Sequence, residues 1–185
     1  MKVLGISGSL RRESHNRRLL LEAAELLPAG VELELFEGLK AIPPYDEDDD
    51  VEPAPEAVVA LREAIAGADA VLIATPEYNG SVPGQLKNAI DWASRPRGSA
   101  SLFGKPVAVI GASTGGFGGV WAQAELRKVL GTAGARVVQN EVAVPRAHER
   151  LEEHGRLMHD EHLGVLEDAL EALLAEVRPP VAVAA

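Results

Sequence analysis

Residues able to hold polar ligands concentrate in three short segments. The first, Gly8-Ser9-Leu10-Arg11-Arg12-Glu13-Ser14-His15-Asn16, gathers two hydroxyls, a carboxamide and two guanidinium groups just ahead of an apolar-periodic stretch. Ser14 or Asn16 is a natural helix N-cap. Hydroxyls and a guanidinium beside the free N–H groups of a helix N-terminus make a phosphate site. The second, Pro76-Glu77-Tyr78-Asn79-Gly80-Ser81-Val82-Pro83-Gly84, is rich in residues that fix or free φ. It folds as a shaped loop that offers backbone N–H and C=O groups to a planar polar ligand. In the third, Gly111-Ala112-Ser113-Thr114-Gly115-Gly116-Phe117-Gly118-Gly119, five glycines in nine residues clear side chains from the path of a flat ligand. The three segments predict a phosphate held at the first and a ring system held between the other two.

Neither standard nucleotide fingerprint is present. Gly5-Ile6-Ser7-Gly8 lacks the G-x-G-x-x-G spacing of a dinucleotide site, and no Gly-Lys-Ser/Thr occurs for a P-loop. A monophosphate held by hydroxyls, backbone and one arginine fits better, which favours a mononucleotide. Four of the 18 basic residues, Arg11, Arg12, Arg17 and Arg18, cluster here in a chain of net charge −10. That acidic balance argues against nucleic acid as a partner. The absence of cysteine excludes disulfides, thiolate catalysis and thiolate-bound metal.

Alternating strand and helix signals position the three segments. Strand-like runs cover 2–7, 31–36, 70–75, 106–112 and 136–142. Between them lie apolar stripes at helical spacing, such as Leu19, Leu20, Ala23 and Leu26, and Leu163, Leu166, Leu170, Leu173 and Leu174. Five β–α units predict an α/β fold, a doubly wound five-stranded parallel sheet in the order 2-1-3-4-5 with helices on both faces. In that order the loops leaving strands 1, 3 and 4 converge on one crevice, where such sheets bind ligands. These are the three segments above. A single domain over 1–178 is expected, with a short frayed tail over 179–185 after Pro179-Pro180 stops the last helix. No apolar run approaches the roughly 18 residues of a membrane span. Residues 1–6 read as a strand and not as a secretory signal, so a soluble cytoplasmic protein is expected.

At the level of motifs, the chain resembles the NADPH-dependent FMN reductase family, a flavodoxin-like group that includes quinone, azo-dye and chromate reductases. Gly8, Ser9, Arg11, Ser14 and Asn16 match the family's Gly-Ser-x-Arg-x-x-Ser-x-Asn phosphate loop. Its Pro-Glu-Tyr-Asn-x-Ser-x-Pro-Gly-x-Leu-Lys-Asn-x-x-Asp-Trp block is matched without a break from Pro76 to Trp92, and its Gly-x-Ser-x-Gly-Gly loop is also present.

The resemblance implies bound FMN with NADPH or NADH as co-substrate. The FMN phosphate would lie on Ser9, Arg11, Ser14 and Asn16. The isoalloxazine would rest against Pro76, Glu77, Tyr78, Asn79 and Gly80, with Ser113, Thr114, Gly115 and Gly116 closing its other edge. The implied reaction is ping-pong, from NAD(P)H to FMN and then to a quinone, azo compound, free flavin or oxidised metal ion. The chemistry is flavin-borne, so no side chain is needed as acid, base or nucleophile. Glu77 and Asp91 are expected to brace a loop and a helix surface. Arg12, His15 and Arg17 are candidates to meet the phosphates of the nicotinamide nucleotide. A homodimer or homotetramer is implied, with Phe117, Val120 and Trp121 near the contact. The alternative class is a non-enzymatic flavodoxin-like electron carrier or redox-sensing flavoprotein. Carriers enclose the flavin between aromatic side chains, and with seven aromatics in the whole chain the enzyme is favoured.

No metal site is expected. The run Asp46-Glu47-Asp48-Asp49-Asp50 lacks EF-hand spacing and its glycine, and reads as a solvated connection. His154, His159 and His162 read as surface or capping histidines, although His159 and His162 stand at i, i+3.

Overall fold

In a computed structural model, which describes residues 1–152, 156–158 and 160–177, six strands form one parallel sheet. Strands β1 (Lys2–Ser7), β2 (Glu32–Leu35), β3 (Ala70–Ala74), β4 (Pro106–Ala112) and β5 (Arg136–Val137) run in the order β2-β1-β3-β4-β5. A sixth, β6 (Val142–Val144), also pairs with β4. The flavodoxin-like order expected from the sequence is therefore present, with one strand added. Every residue of β3 and β4 is buried, as continuous apolar runs covered on both faces require.

Helices α1 (His15–Leu26) and α6 (Asp160–Val177) cover one face, with the short α5 (Ala147–Arg150) between β6 and α6. Helices α2 (Glu56–Ala66), α3 (Gly84–Ala93) and α4 (Val120–Thr132) cover the other. The stripes read from the sequence are the buried faces. Leu19, Leu20, Leu166 and Leu173 close the first layer, and Val58, Leu61, Ile65, Leu86, Leu126 and Leu130 close the second. Each such leucine contributes about 1.5–3 kcal/mol by leaving water. Trp92 is fully buried, donates its indole N–H to the Pro43 carbonyl at 2.9 Å and meets the Tyr45 ring edge-on. It is a packing residue.

The sheet edge departs from the single strand expected over 136–142. Val107 lies opposite Val137, whereas Ile110 lies opposite Val142. The edge chain thus carries two more residues than β4 over the same stretch. Gln139, Asn140 and Glu141 are polar and leave the sheet, and Gln139 turns its amide back to the Val137 carbonyl at 2.9 Å. Val142 then re-enters as β6.

In the acidic run, Asp46 caps a 3-10 turn over Glu47–Asp49, and Asp50 pairs with Arg62 at 2.9 Å. It is an ordered connection with one member in an ion pair. No described helix is long and apolar enough to cross a membrane. His154, His159 and the tail at 179–185 lie outside the described residues.

Candidate functional site

Loop 1, between β1 and α1, folds back over the sheet end, where the Gly8 N–H donates to the Ala74 carbonyl of β3 at 2.8 Å. Ser14 is the N-cap of α1, and its Oγ accepts from the Arg17 N–H at 3.2 Å. The N–H groups of His15 and Asn16, in the first helical turn, have no acceptor among the described residues. Ser9 Oγ accepts from the Arg11 N–H at 3.4 Å, and Arg11 donates one guanidinium N–H to the Glu13 carbonyl at 2.7 Å. Asn16 is buried and turned inward. Its amide bonds both backbone groups of Ala112 at the end of β4. Of its polar capacity, one Nδ2 hydrogen and one Oδ1 lone pair remain.

Loop 2 contains a two-residue turn. Tyr78 and Ser81 exchange backbone hydrogen bonds of 3.1 Å each around Asn79 and Gly80, which have φ of 54° and 74°. Asn-Gly is the pair that tolerates both positive angles. Tyr78 is left half exposed at the tip. The loop is braced from α4. Glu77 Oε2 accepts from the N–H groups of Trp121 and Ala122 at 3.1 and 3.2 Å, capping that helix. Ser81 Oγ donates to Glu125 at 2.6 Å. That bond, with help from the Val82 N–H, holds the Glu125 carboxyl below its usual pKa. Glu77 and Asp91 have the structural roles expected of them, Asp91 pairing with Lys87 at 2.7 Å.

Loop 3 follows β4 and is held by a segment the sequence reading did not single out. The Ser113 N–H donates to the Val144 carbonyl, and the Ser113 and Gly115 carbonyls accept from the N–H groups of Ala147 and Arg146. Gly118, at φ 64°, packs so tightly on this segment that a Cβ there would lie 2.7 Å from backbone atoms of Ala143 and Val144. The sequence signal was the polar break at 139–141 followed by Val-Ala-Val-Pro, the pattern of a second short strand. Ser113 Oγ accepts from the Gly115 N–H at 3.1 Å.

The nominated residues thus stand on three loops at one end of the sheet, above adjacent strands β1, β3 and β4. A cavity of about 330 Å³ opens between loops 1 and 2, lined by Gly8, Leu10, Arg11, Tyr78, Pro83 and Gly84. Cβ atoms placed on Gly80, Gly84 or Gly116 would meet no atom within 4 Å, so these glycines border open space. Hydroxyls, an arginine and free helix N–H groups beside a side-chain-poor recess are a donor set that fits a flavin mononucleotide. Burial, with the charges of Arg18, Arg11 and His148, holds the His15 imidazole below its usual pKa. A cavity of about 690 Å³ between α3 and α4, larger than the recess between loops 1 and 2, borders none of the three loops. The site is defined by converging chemistry and not by volume.

Residues 1–149 match the sequence model of the NADPH-dependent FMN reductases. The chain belongs to that family. Among curated relatives, an NAD(P)H-dependent FMN reductase of Pseudomonas aeruginosa is 45% identical over 179 residues, 96% of each chain. A 2-hydroxy-1,4-benzoquinone reductase of Burkholderia sp. is 37% identical over 179 residues, 96% of this chain and 97% of its own. Among solved structures, the flavoenzyme NAD(P)H:(acceptor) oxidoreductase FerB from Paracoccus denitrificans superposes with a TM-score of 0.85 at 36% identity. That superposition covers 95% of this chain and 96% of FerB.

Proposed function

We propose that the protein is a cytoplasmic FMN-dependent NAD(P)H oxidoreductase that reduces quinones, with azo compounds, free flavins or oxidised metal ions as further acceptors. The observation that carries this reading is the convergence of the three loops, phosphate donors on one and glycine-lined open space beside the others. The two full-length relatives, an FMN reductase and a benzoquinone reductase, support the choice of acceptor class.

When bound, FMN would supply the redox chemistry, with NAD(P)H as the hydride donor and the acceptor as the two-electron oxidant. The protein's part is binding and electrostatics. Ser9, Arg11, Ser14 and the first-turn N–H groups of α1 hold the phosphate. Asn16 serves chiefly by fixing α1 to the end of β4, and Glu77 by fixing loop 2 to α4. The backbone of Pro76, Glu77, Tyr78, Asn79 and Gly80, and of Ser113, Thr114, Gly115 and Gly116, lines the ring edges. The N–H groups of Glu77, Asn79, Gly80, Thr114 and Gly116, which have no acceptor among the described residues, are the donors. Donors fixed in advance stabilise the negative charge that reduction brings. One open face serves nucleotide and acceptor in turn, which makes the kinetics ping-pong. Phe117 and Trp121 meet in a tilted pair, ring centroids 4.9 Å apart, with both residues more than half exposed, the kind of surface a second copy covers in a homodimer or homotetramer.

The visible spectrum of the purified protein, recorded with NADPH in the absence of oxygen, tests the reading. A flavin band that bleaches and returns on adding a quinone is the expected result. A band untouched by NADPH or NADH would favour an electron carrier, and no band after incubation with FMN would overturn the cofactor assignment.

A further inference from the structure

On the opposite side of loop 1 from Tyr78 lies a second cavity, of about 390 Å³, between the turn after β1 and the carboxyl end of β2. Leu10, Leu35, Phe36 and Leu39 supply apolar walls, and Arg11, Arg12, Arg17 and Lys40 supply four cations against one carboxylate, Glu37. That carboxylate is already engaged by Arg17 at 2.6 Å. Arg12 and Lys40 have neither a hydrogen bond nor an ion pair among the described residues. In a chain of net charge −10, two unpaired cations at one cavity are a local reversal of sign that attracts anions. The cavity is continuous in lining with the one beside loop 2, since Leu10 and Arg11 border both.

We propose that this cavity receives the 2′-phosphorylated adenylate half of NADPH, with Arg12 and Lys40 at the 2′-phosphate, and so selects NADPH over NADH. The proposal rests on the reading of the protein as an NAD(P)H oxidoreductase. A dinucleotide whose nicotinamide meets the flavin at loop 2 would cross Leu10 and Arg11, which border both cavities, and its adenylate half would lie against the apolar walls at β2. An unpaired acid at the end of β2 suits a free ribose diol. Here Glu37 is neutralised by Arg17 and the unpaired groups are cations, which suits a phosphate in the diol's place.

The test uses the full chain loaded with FMN and the double variant Arg12→Ala/Lys40→Ala. Titration calorimetry with adenosine 2′,5′-bisphosphate and with 5′-AMP as probes reads the cavity without turnover. The expected result is binding of the bisphosphate about tenfold or more tighter than AMP, a margin lost in the variant. In steady state, the ratio of kcat/KM for NADPH to that for NADH falls about tenfold or more. Equal binding of the two probes to the wild type would overturn the proposal, whatever the enzyme's activity. So would an equal fall for both nucleotides, or loss of flavin from the variant, since either would give these cations a different task. Absence of turnover with tight bisphosphate binding would instead count against the oxidoreductase reading and leave the phosphate site standing.

Discussion

Asn16 and Ala112 form a closed pair of hydrogen bonds, the Asn16 Nδ2 donating to the Ala112 carbonyl and its Oδ1 accepting from the Ala112 N–H, each at 2.9 Å. The two residues are 96 positions apart, yet this contact fixes the first turn of α1 to the point where β4 becomes the glycine loop. A side chain that looks like a ligand contact in the sequence is largely a clamp between two loops. Its effect on the site runs through their spacing.

Removing the clamp leaves two buried backbone groups unpaired, each at a cost of about 1–3 kcal/mol. Asn16→Ala is expected to destabilise the protein by about 2–4 kcal/mol, read as a lower urea midpoint, and to weaken FMN. Asn16→Asp retains one acceptor but sets a carboxylate against the Ala112 carbonyl. It should be comparably unstable near neutral pH and partly rescued on acidification. A midpoint like that of the wild type in either variant would show that the clamp carries no weight.

Glu77 holds loop 2 by capping α4, so its role divides cleanly by substitution. Glu77→Ala removes the acceptor of two helix N–H groups and should cost about 1–2 kcal/mol. Glu77→Gln keeps an oxygen there and should cost well under half of that. Thermal unfolding of both variants measures the difference. Equal losses in both would assign the effect to the charge and not to the cap.

The strand order, the burial of β3 and β4 and the three loops were legible because apolar runs and turn residues are local signals. Tertiary partners were not. Nothing around Asn16 indicates that its amide turns toward Ala112, since both N-cap and ligand roles favour the same residue type. Ser14 took the cap, and its small hydroxyl reaches the Arg17 N–H. The bracing of Ser81 by Glu125 was equally hidden, because it joins residues 44 apart on different elements. The split of the edge strand was more readable. Gln139, Asn140 and Glu141 break an apolar alternation, and polar residues do not continue a half-buried strand.

Arg11 spends one of its guanidinium hydrogens on the Glu13 carbonyl, which orders the side chain and leaves four more N–H groups. A charge-assisted bond to phosphate is worth about 1.5–3 kcal/mol. Arg11→Ala should therefore raise the FMN dissociation constant by roughly 10- to 150-fold, measured by fluorescence quenching of added flavin. Unchanged affinity would remove Arg11 from the phosphate site.

His15 gives the flavin-free protein a pH dependence of definite sign. Its pKa is lowered in the fold, first by burial and then by Arg18, Arg11 and His148. Below the unfolded imidazole value of about 6.5 the unfolded chain binds the extra proton and the folded chain does not. Stability should thus fall as the pH drops from about 6.5 toward the lowered folded value, and His15→Gln should flatten that stretch of the curve. Urea midpoints between neutral and mildly acidic pH measure this, and an identical slope in the variant would place the titration elsewhere.

Gly115 gives the most direct probe of where the ring lies. It is not at positive φ, and a Cβ there would meet only Ser113 Oγ, at an ordinary 3.5 Å. The fold should therefore accept a side chain at this position, and stability should change by less than about 1 kcal/mol. Gly115→Val would nonetheless fill the recess that Gly115 and Gly116 leave clear, and FMN uptake should fall about tenfold or more. Val at Gly116, where a Cβ meets nothing within 4 Å, should act in the same direction. Normal melting with lost flavin is the expected outcome for both. Normal melting with normal flavin uptake would mean that the ring does not lie along loop 3, and the recess between loops 1 and 2 would then have to hold it alone.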